Sequence, residues 1–151
     1  MKIQWLLLQF DELTPYQLYA ILQLRNEVFV VEQQCIFQDA DDKDQGCYHL
    51  MGIEDSRLVA YTRLSPPHLI YDQASIGRVI TSPAVRRTGL GATLMQQSIT
   101  SVYQLFGKGD IKIGAQLYLK DFYSSFGFVP ISDPYLEDGI EHLYMLLKSA
   151  S

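Results

Sequence analysis

The stretch Arg86-Arg87-Thr88-Gly89-Leu90-Gly91-Ala92 stands between an apolar strand pattern and a long amphipathic helix pattern, and it constrains the chain more than any other segment. A helix start exposes free N–H groups and a partial positive charge. Two glycines let a ligand approach the backbone closely. Together these features make an anion site suited to a pyrophosphate, with Arg86 and Arg87 adding charge. On the residues alone, a helix that begins at Gly beside ordinary surface arginines fits equally well. Two sharper phosphate motifs are excluded. A Walker loop needs Lys after Gly91. A dinucleotide fingerprint needs a small residue where Leu94 stands, and a turn directly after the strand, where Ser82 to Thr88 intervene.

The surrounding patterns describe a mixed α/β chain, read as one domain over residues 1–151. Strands are predicted over Ile3–Phe10, Cys47–Glu54, Leu58–Leu64, Ala74–Thr81, Ile111–Ala115, Phe128–Ile131 and His142–Leu147. A helix opens at Thr14-Pro15 and runs to about Val31. The second helix runs from Gly89 to about Phe106. A third carries Leu119, Phe122, Tyr123 and Phe126 at i, i+3, i+4 and i+7, and Gly127 stops it. Glu32–Gly46 and Asp133–Gly139 read as loops. The first contains Asp39, Asp41, Asp42 and Asp44. It is a solvated polar loop or an acidic surface that steers a cationic acceptor. Arg25 and Arg63 pair with acids or contact the acceptor.

Charge narrows the partners. Twelve Lys+Arg against seventeen Asp+Glu give a net charge of -5, whereas chains that clamp nucleic acid usually carry a basic surplus. Neither nucleic acid nor a membrane is expected as a partner, since no apolar run approaches a membrane span. A cytoplasmic protein with reduced thiols at Cys35 and Cys47 is expected. Cys35, Cys47 and His49 lack the spacing of common zinc sites, so no metal is expected.

Several segments carry a family resemblance. Val79-Ile80-Thr81-Ser82-Pro83-Ala84-Val85-Arg86-Arg87-Thr88-Gly89-Leu90-Gly91 resembles motif A of the GNAT N-acetyltransferases: a strand, a Pro-containing loop and [QR]-x-x-G-x-[GA] opening a helix. Phe122-Tyr123-Ser124-Ser125-Phe126-Gly127-Phe128 resembles the second signature, at a family-like separation. Leu24 to Gln33, Ala60 to Leu64, Ile76 to Val79 and Glu137-Asp138-Gly139-Ile140-Glu141-His142 are similar to the ElaA-like branch. Arg87 stands where many members have Gly.

The resemblance implies a central mixed sheet, with helices on both faces, that splays between Ala74–Thr81 and Ile111–Ala115. Acetyl-CoA, the donor substrate, would lie in the splay. Its pyrophosphate would take the amides of Arg87, Thr88, Gly89, Leu90, Gly91 and Ala92 beside Arg86. Its pantetheine arm would pair with the backbone of Val79, Ile80 and Thr81. A backbone N–H there would polarise the thioester, and Tyr123 would protonate the departing thiolate. Periodicity alone makes Tyr123 a core aromatic; only the motif lifts it further. Glu32 or His142 is the candidate base, and a water chain without a single base is equally open. The implied activity is acetyl transfer to a primary amine of a small-molecule or peptide acceptor by direct attack. The alternative is a catalytically silent acyl-CoA sensor of the same fold.

Overall fold

A computed structural model describes residues 2–149. Eight strands and three α-helices follow in chain order: β1 Gln4–Gln9, α1 Pro15–Arg25, β2 Tyr48–Glu54, β3 Arg57–Ser65, β4 Ser75–Thr81, α2 Leu90–Phe106, β5 Ile111–Gln116, α3 Lys120–Ser124, β6 Val129–Pro130, β7 Tyr135–Glu137 and β8 Ile140–Leu147. Strands β1 to β4 form one antiparallel sheet in sequence order. In the second sheet β8 is central, with β5 on one side and the short β6 and β7 on the other.

Among the described residues the sheets join at one point, where the residue before β4 meets the start of β5. Ala74 bridges Ile111 in parallel, and the Lys112 N–H donates to the Ala74 carbonyl at 3.0 Å. Beyond that point the strands diverge, which is the expected splay at the expected place. Within β4, Ile80 faces Tyr61 and Gly77 faces Arg63. Three steps on β4 thus match two on β3, and the extra residue, Arg78, sits at φ +51°. Such a bulge bends its strand away from regular pairing.

Helices cover both faces. Ile21 and Leu24 of α1 pack with Met51, Tyr61 and Ile80 on one face of the first sheet. Leu90 and Leu94 of α2 pack with Leu50, Val59 and Ala60 on the other. Further along, Met95, Ile99 and Val102 join Ile111, Ile113, Tyr123, Phe128 and Met145, so α2 also spans the junction between the sheets. Leu50 and Met51 are neighbours buried on opposite faces, which is why β2 reads as a continuous apolar run.

Three expectations need correction. The first helix does not stay α-helical to Val31: from Asn26 to Glu32 it widens into a π turn, with Gln33 N–H bonding the Val28 carbonyl at 3.3 Å. Asp133–Gly139 is not all loop, because Tyr135–Glu137 pairs with β8 through a turn at Asp138 (φ +51°) and Gly139 (φ +79°). This Asp-Gly turn between strands is a hairpin signal that the polar composition masked.

The third correction concerns the acidic segment: Asp39, Asp41 and Asp44 are engaged by arginines, and of the four aspartates Asp42 stays exposed. Arg25, fully buried, donates Nε to Asp39 at 2.7 Å and Nη1 to Asp44 at 2.9 Å. Arg63 grips Asp41 at 2.7 and 3.0 Å and Asp44 at 3.0 Å. Arg78 Nε lies 2.8 Å from Asp39. Three aspartates therefore match three arginines, which buried charges require. Burial pushes the Asp44 carboxyl up, but the hydrogen bonds and charges of Arg25 and Arg63 outweigh it and hold Asp44 below the ordinary carboxylate range.

Candidate active site

Between β4 and β5 opens a cleft of about 620 Å³. Its floor is the diverging pair itself: Val79, Ile80 and Thr81 line one side, Ile113, Gly114 and Gln116 the other. From Ser75 onward β4 pairs only with β3, so its second edge offers unpaired backbone groups to the cleft. An extended ligand can add to such an edge as a further strand.

At one end stands the start of α2. Gly89 is the residue before the helix, at φ +83°, a conformation that favours glycine. It brings no side-chain cap, and the amides of Gly89, Leu90, Gly91 and Ala92 take no acceptor among the described residues. Arg86 and Gly91 line the cleft, whereas Arg87, Thr88, Gly89, Leu90 and Ala92 do not. Leu90 instead turns its side chain into the core, and the Thr88 hydroxyl donates to the Val85 carbonyl at 2.6 Å. What this loop presents to an anion is therefore mainly backbone.

The π turn after α1 forms the roof. It carries Val28, Phe29, Glu32 and Gln33 into the cleft. Glu32 is held by Arg86, which donates two hydrogen bonds at 2.6 and 2.7 Å. The Arg86 hydrogen bond and charge hold the Glu32 carboxyl below its ordinary range, which makes it a weak base while paired. Next along the chain, Gln33 exchanges side-chain amide hydrogen bonds with Gln116 of β5, at 3.4 and 3.3 Å. The Cys35 thiol donates to the Asp138 carbonyl at 3.2 Å. Glu32, Gln33 and Cys35 thus tie the roof to α2's approach, to β5 and to the β7–β8 turn in succession.

Tyr123 and His142 both reach the cleft. The Tyr123 ring packs edge-on against Phe122 and Phe128 within the core, as periodicity requires. Burial pushes its phenol pKa up, so it keeps its proton at neutral pH. No hydrogen bond to it comes from the described residues. His142 is 8% exposed. Its Nδ1 lies 2.8 Å from the Ile140 carbonyl, which can only accept, so Nδ1 bears the hydrogen. In the neutral ring Nε2 is then left as an acceptor, and it lies 3.6 Å from the Glu137 carboxylate. Tyr135 stacks on the same ring at 5.9 Å between centroids.

Glu137, Gln33 and Gln116 are lining residues that sequence reasoning did not single out as site residues. For Glu137 a signal existed: with Asp138-Gly139 as a two-residue turn, Glu137 faces Ile140, and period-two alternation puts both on the His142 side of the sheet. Gln33 and Gln116 stand 83 positions apart and only the closed fold brings them together.

Residues 15–149 match the family model described as acetyltransferase (GNAT) domain. The chain is 41% identical over 145 residues to the protein ElaA of Escherichia coli K12, covering 95% of each. Its fold superposes on the crystal structure of E. coli ElaA with a TM-score of 0.92, at 40% identity, over 97% of this chain and 100% of that one. An acyl-CoA N-acyltransferase of Pseudomonas aeruginosa gives the same score and identity, over 96% and 99%.

Proposed function

The chain belongs to the acetyltransferase (GNAT) family, and we propose that it moves an acetyl group from acetyl-CoA to a primary amine by direct attack. The observation that carries this reading is the presence of Tyr123 and His142 in one cleft, between an unpaired strand edge and an uncapped helix start. A pyrophosphate suits the amides of Gly89 to Ala92, and a pantetheine arm suits the free edge of Val79 to Thr81. A β4 N–H would polarise the thioester carbonyl.

His142 Nε2 accepts the first proton from the ammonium. The amine nitrogen then bonds to the carbonyl carbon, and the carbon–sulfur bond breaks. Tyr123 gives the departing sulfur a proton; the second amine proton restores the Tyr123 phenol by way of solvent, and His142 passes the first to solvent, so each turnover yields the amide, the CoA thiol and one proton. Burial raises a thiol's pKa as it raises a phenol's, so this transfer is not opposed by the depth of the site. His142 is a better base than Glu32, whose carboxylate is occupied by Arg86. The whole of residues 1–151 is read as one such domain, working in the cytoplasm where Cys35 and Cys47 stay free.

The test is release of free CoA thiol from acetyl-CoA with a panel of amines, beside calorimetry of CoA binding. Amine-dependent thiol release supports transfer. CoA binding with no amine dependence for any acceptor would leave the silent sensor instead.

A further inference from the structure

We infer that the acceptor is an amine bearing a second positive charge and no carboxylate, and that Glu137 with Asp138 selects it; this rests on the transfer reading above. The starting point is the charge left over in the cleft. Its charged lining residues are Glu32, Arg78, Arg86, Glu137 and Asp138, with His142 titratable. Arg86 is matched by Glu32. Arg78 is matched by Asp39, through Nε at 2.8 Å and through Nη2 to the Asp39 carbonyl at 2.8 Å. Glu137 and Asp138 have no Lys or Arg partner among the described residues. Both excess charges sit together, on the turn between β7 and β8.

Glu137 and Asp138 are exposed at the rim of the cleft, and the hairpin geometry ties their turn to the reaction site. Tyr135, Glu137, Ile140 and His142 share one face of the hairpin. His142 is nine-tenths buried, and its Nε2 has no hydrogen-bond partner among the described residues while lying 3.6 Å from the Glu137 carboxylate. Across the gap, the Cys35 thiol holds the Asp138 carbonyl and so pins the turn to the roof. An ammonium placed against Nε2 meets the Glu137 carboxylate at once. A second cationic group on the same molecule completes the charge balance at Asp138. A carboxylate-bearing acceptor would face two like charges and, among the described cleft-lining residues, no Lys or Arg without a partner, a repulsion that solvent moderates at this exposed rim.

Three acceptors of one chain length separate the possibilities: 1,4-diaminobutane, butylamine and 4-aminobutyrate, with acetyl-CoA and thiol release as the readout. The expected order of kcat/KM is diamine, then monoamine, then amino acid. The first step should be about two- to fivefold, the worth of a solvent-exposed ion pair. In the Glu137→Gln, Asp138→Asn double variant the diamine's advantage should shrink toward one, mainly through KM. Equal rates for the three wild-type reactions, or a preference for 4-aminobutyrate, would overturn this assignment and leave amine transfer standing. No thiol release with any of them or with the wider amine panel, while CoA still binds, would remove the transfer reading and this one with it. The wild-type comparison decides by itself, so the outcome does not depend on how well the variant folds.

Discussion

Arg86 and Glu32 meet in a two-point ion pair, at 2.6 and 2.7 Å, across the mouth of the cleft. The arginine belongs to the loop proposed for the donor's pyrophosphate, and the glutamate to the roof over the acceptor side. One residue proposed for each substrate is therefore engaged with the other. A bound pyrophosphate would compete with Glu32 for the same guanidinium. Glu32→Gln should then raise CoA affinity about two- to fivefold, the worth of a solvent-exposed ion pair. Calorimetry of CoA binding checks this. Turnover at saturating substrate should stay within about threefold of the parent, because a base contributes ~10²–10⁴-fold and Glu32 is not read as one. A collapse of kcat would transfer the base role from His142 to Glu32.

Removing only the hydroxyl of Tyr123 separates its two duties. Tyr123→Phe keeps the ring that packs against Phe122 and Phe128. The expected result is a fall in kcat of about 10²-fold, the low end for general-acid help since thiolates leave readily. CoA affinity should hold, because the contacts proposed for the donor are backbone-made. Single-turnover thiol release beside calorimetry distinguishes an acid from a core aromatic.

At Gly91 the protein itself leaves room. An added Cβ would meet only the Phe122 ring, at 3.9 Å, an ordinary contact. Gly91→Glu should therefore fold with a near-parental melting temperature yet lose CoA binding, through bulk and like charge at the anion site. Retained affinity would move the pyrophosphate elsewhere.

The buried ion-pair knot makes a stability prediction. Arg25→Ala would leave Asp39 with Arg78 and Asp44 with Arg63 but remove the buried arginine that joins them, a loss of about 3 kcal/mol, the low end for a broken buried pair. Denaturant unfolding measures it. The pH dependence has a definite sign. Asp44 and Asp41 are held below the ordinary carboxylate range in the folded chain, after burial, which acts the other way, is outweighed by their arginines. Their contribution is thus complete above about pH 4, the ordinary Asp value, and is lost as pH falls through the lower folded values. In Asp44→Asn the acid-side slope should be shallower. Asp42 lies outside the knot, exposed, so Asp42→Asn should change neither stability nor acceptor KM.

Local chemistry by itself determined most of the elements and the glycine-containing start of α2, though not the π turn at Asn26–Glu32 or the strand Tyr135–Glu137. Period-two and period-3.6 patterns depend on neighbours a few residues apart, and Gly89 permits the positive φ that the chain takes just before α2. The motif around Phe122-Tyr123 likewise stands where α3 forms, and its Tyr reaches the cleft. What tertiary structure alone decided is which charges are spent. Asp39, Asp41 and Asp44 look like a free acidic surface in sequence, yet Arg25, Arg63 and Arg78 reach them from separate elements, one of them through the bulge in β4. Glu32 is likewise consumed by Arg86, 54 positions away. Glu137 comes beside His142 because β7 folds back on β8. Electrostatic pairing is set by distance in space, and a one-dimensional pattern carries that distance only within a single turn or strand.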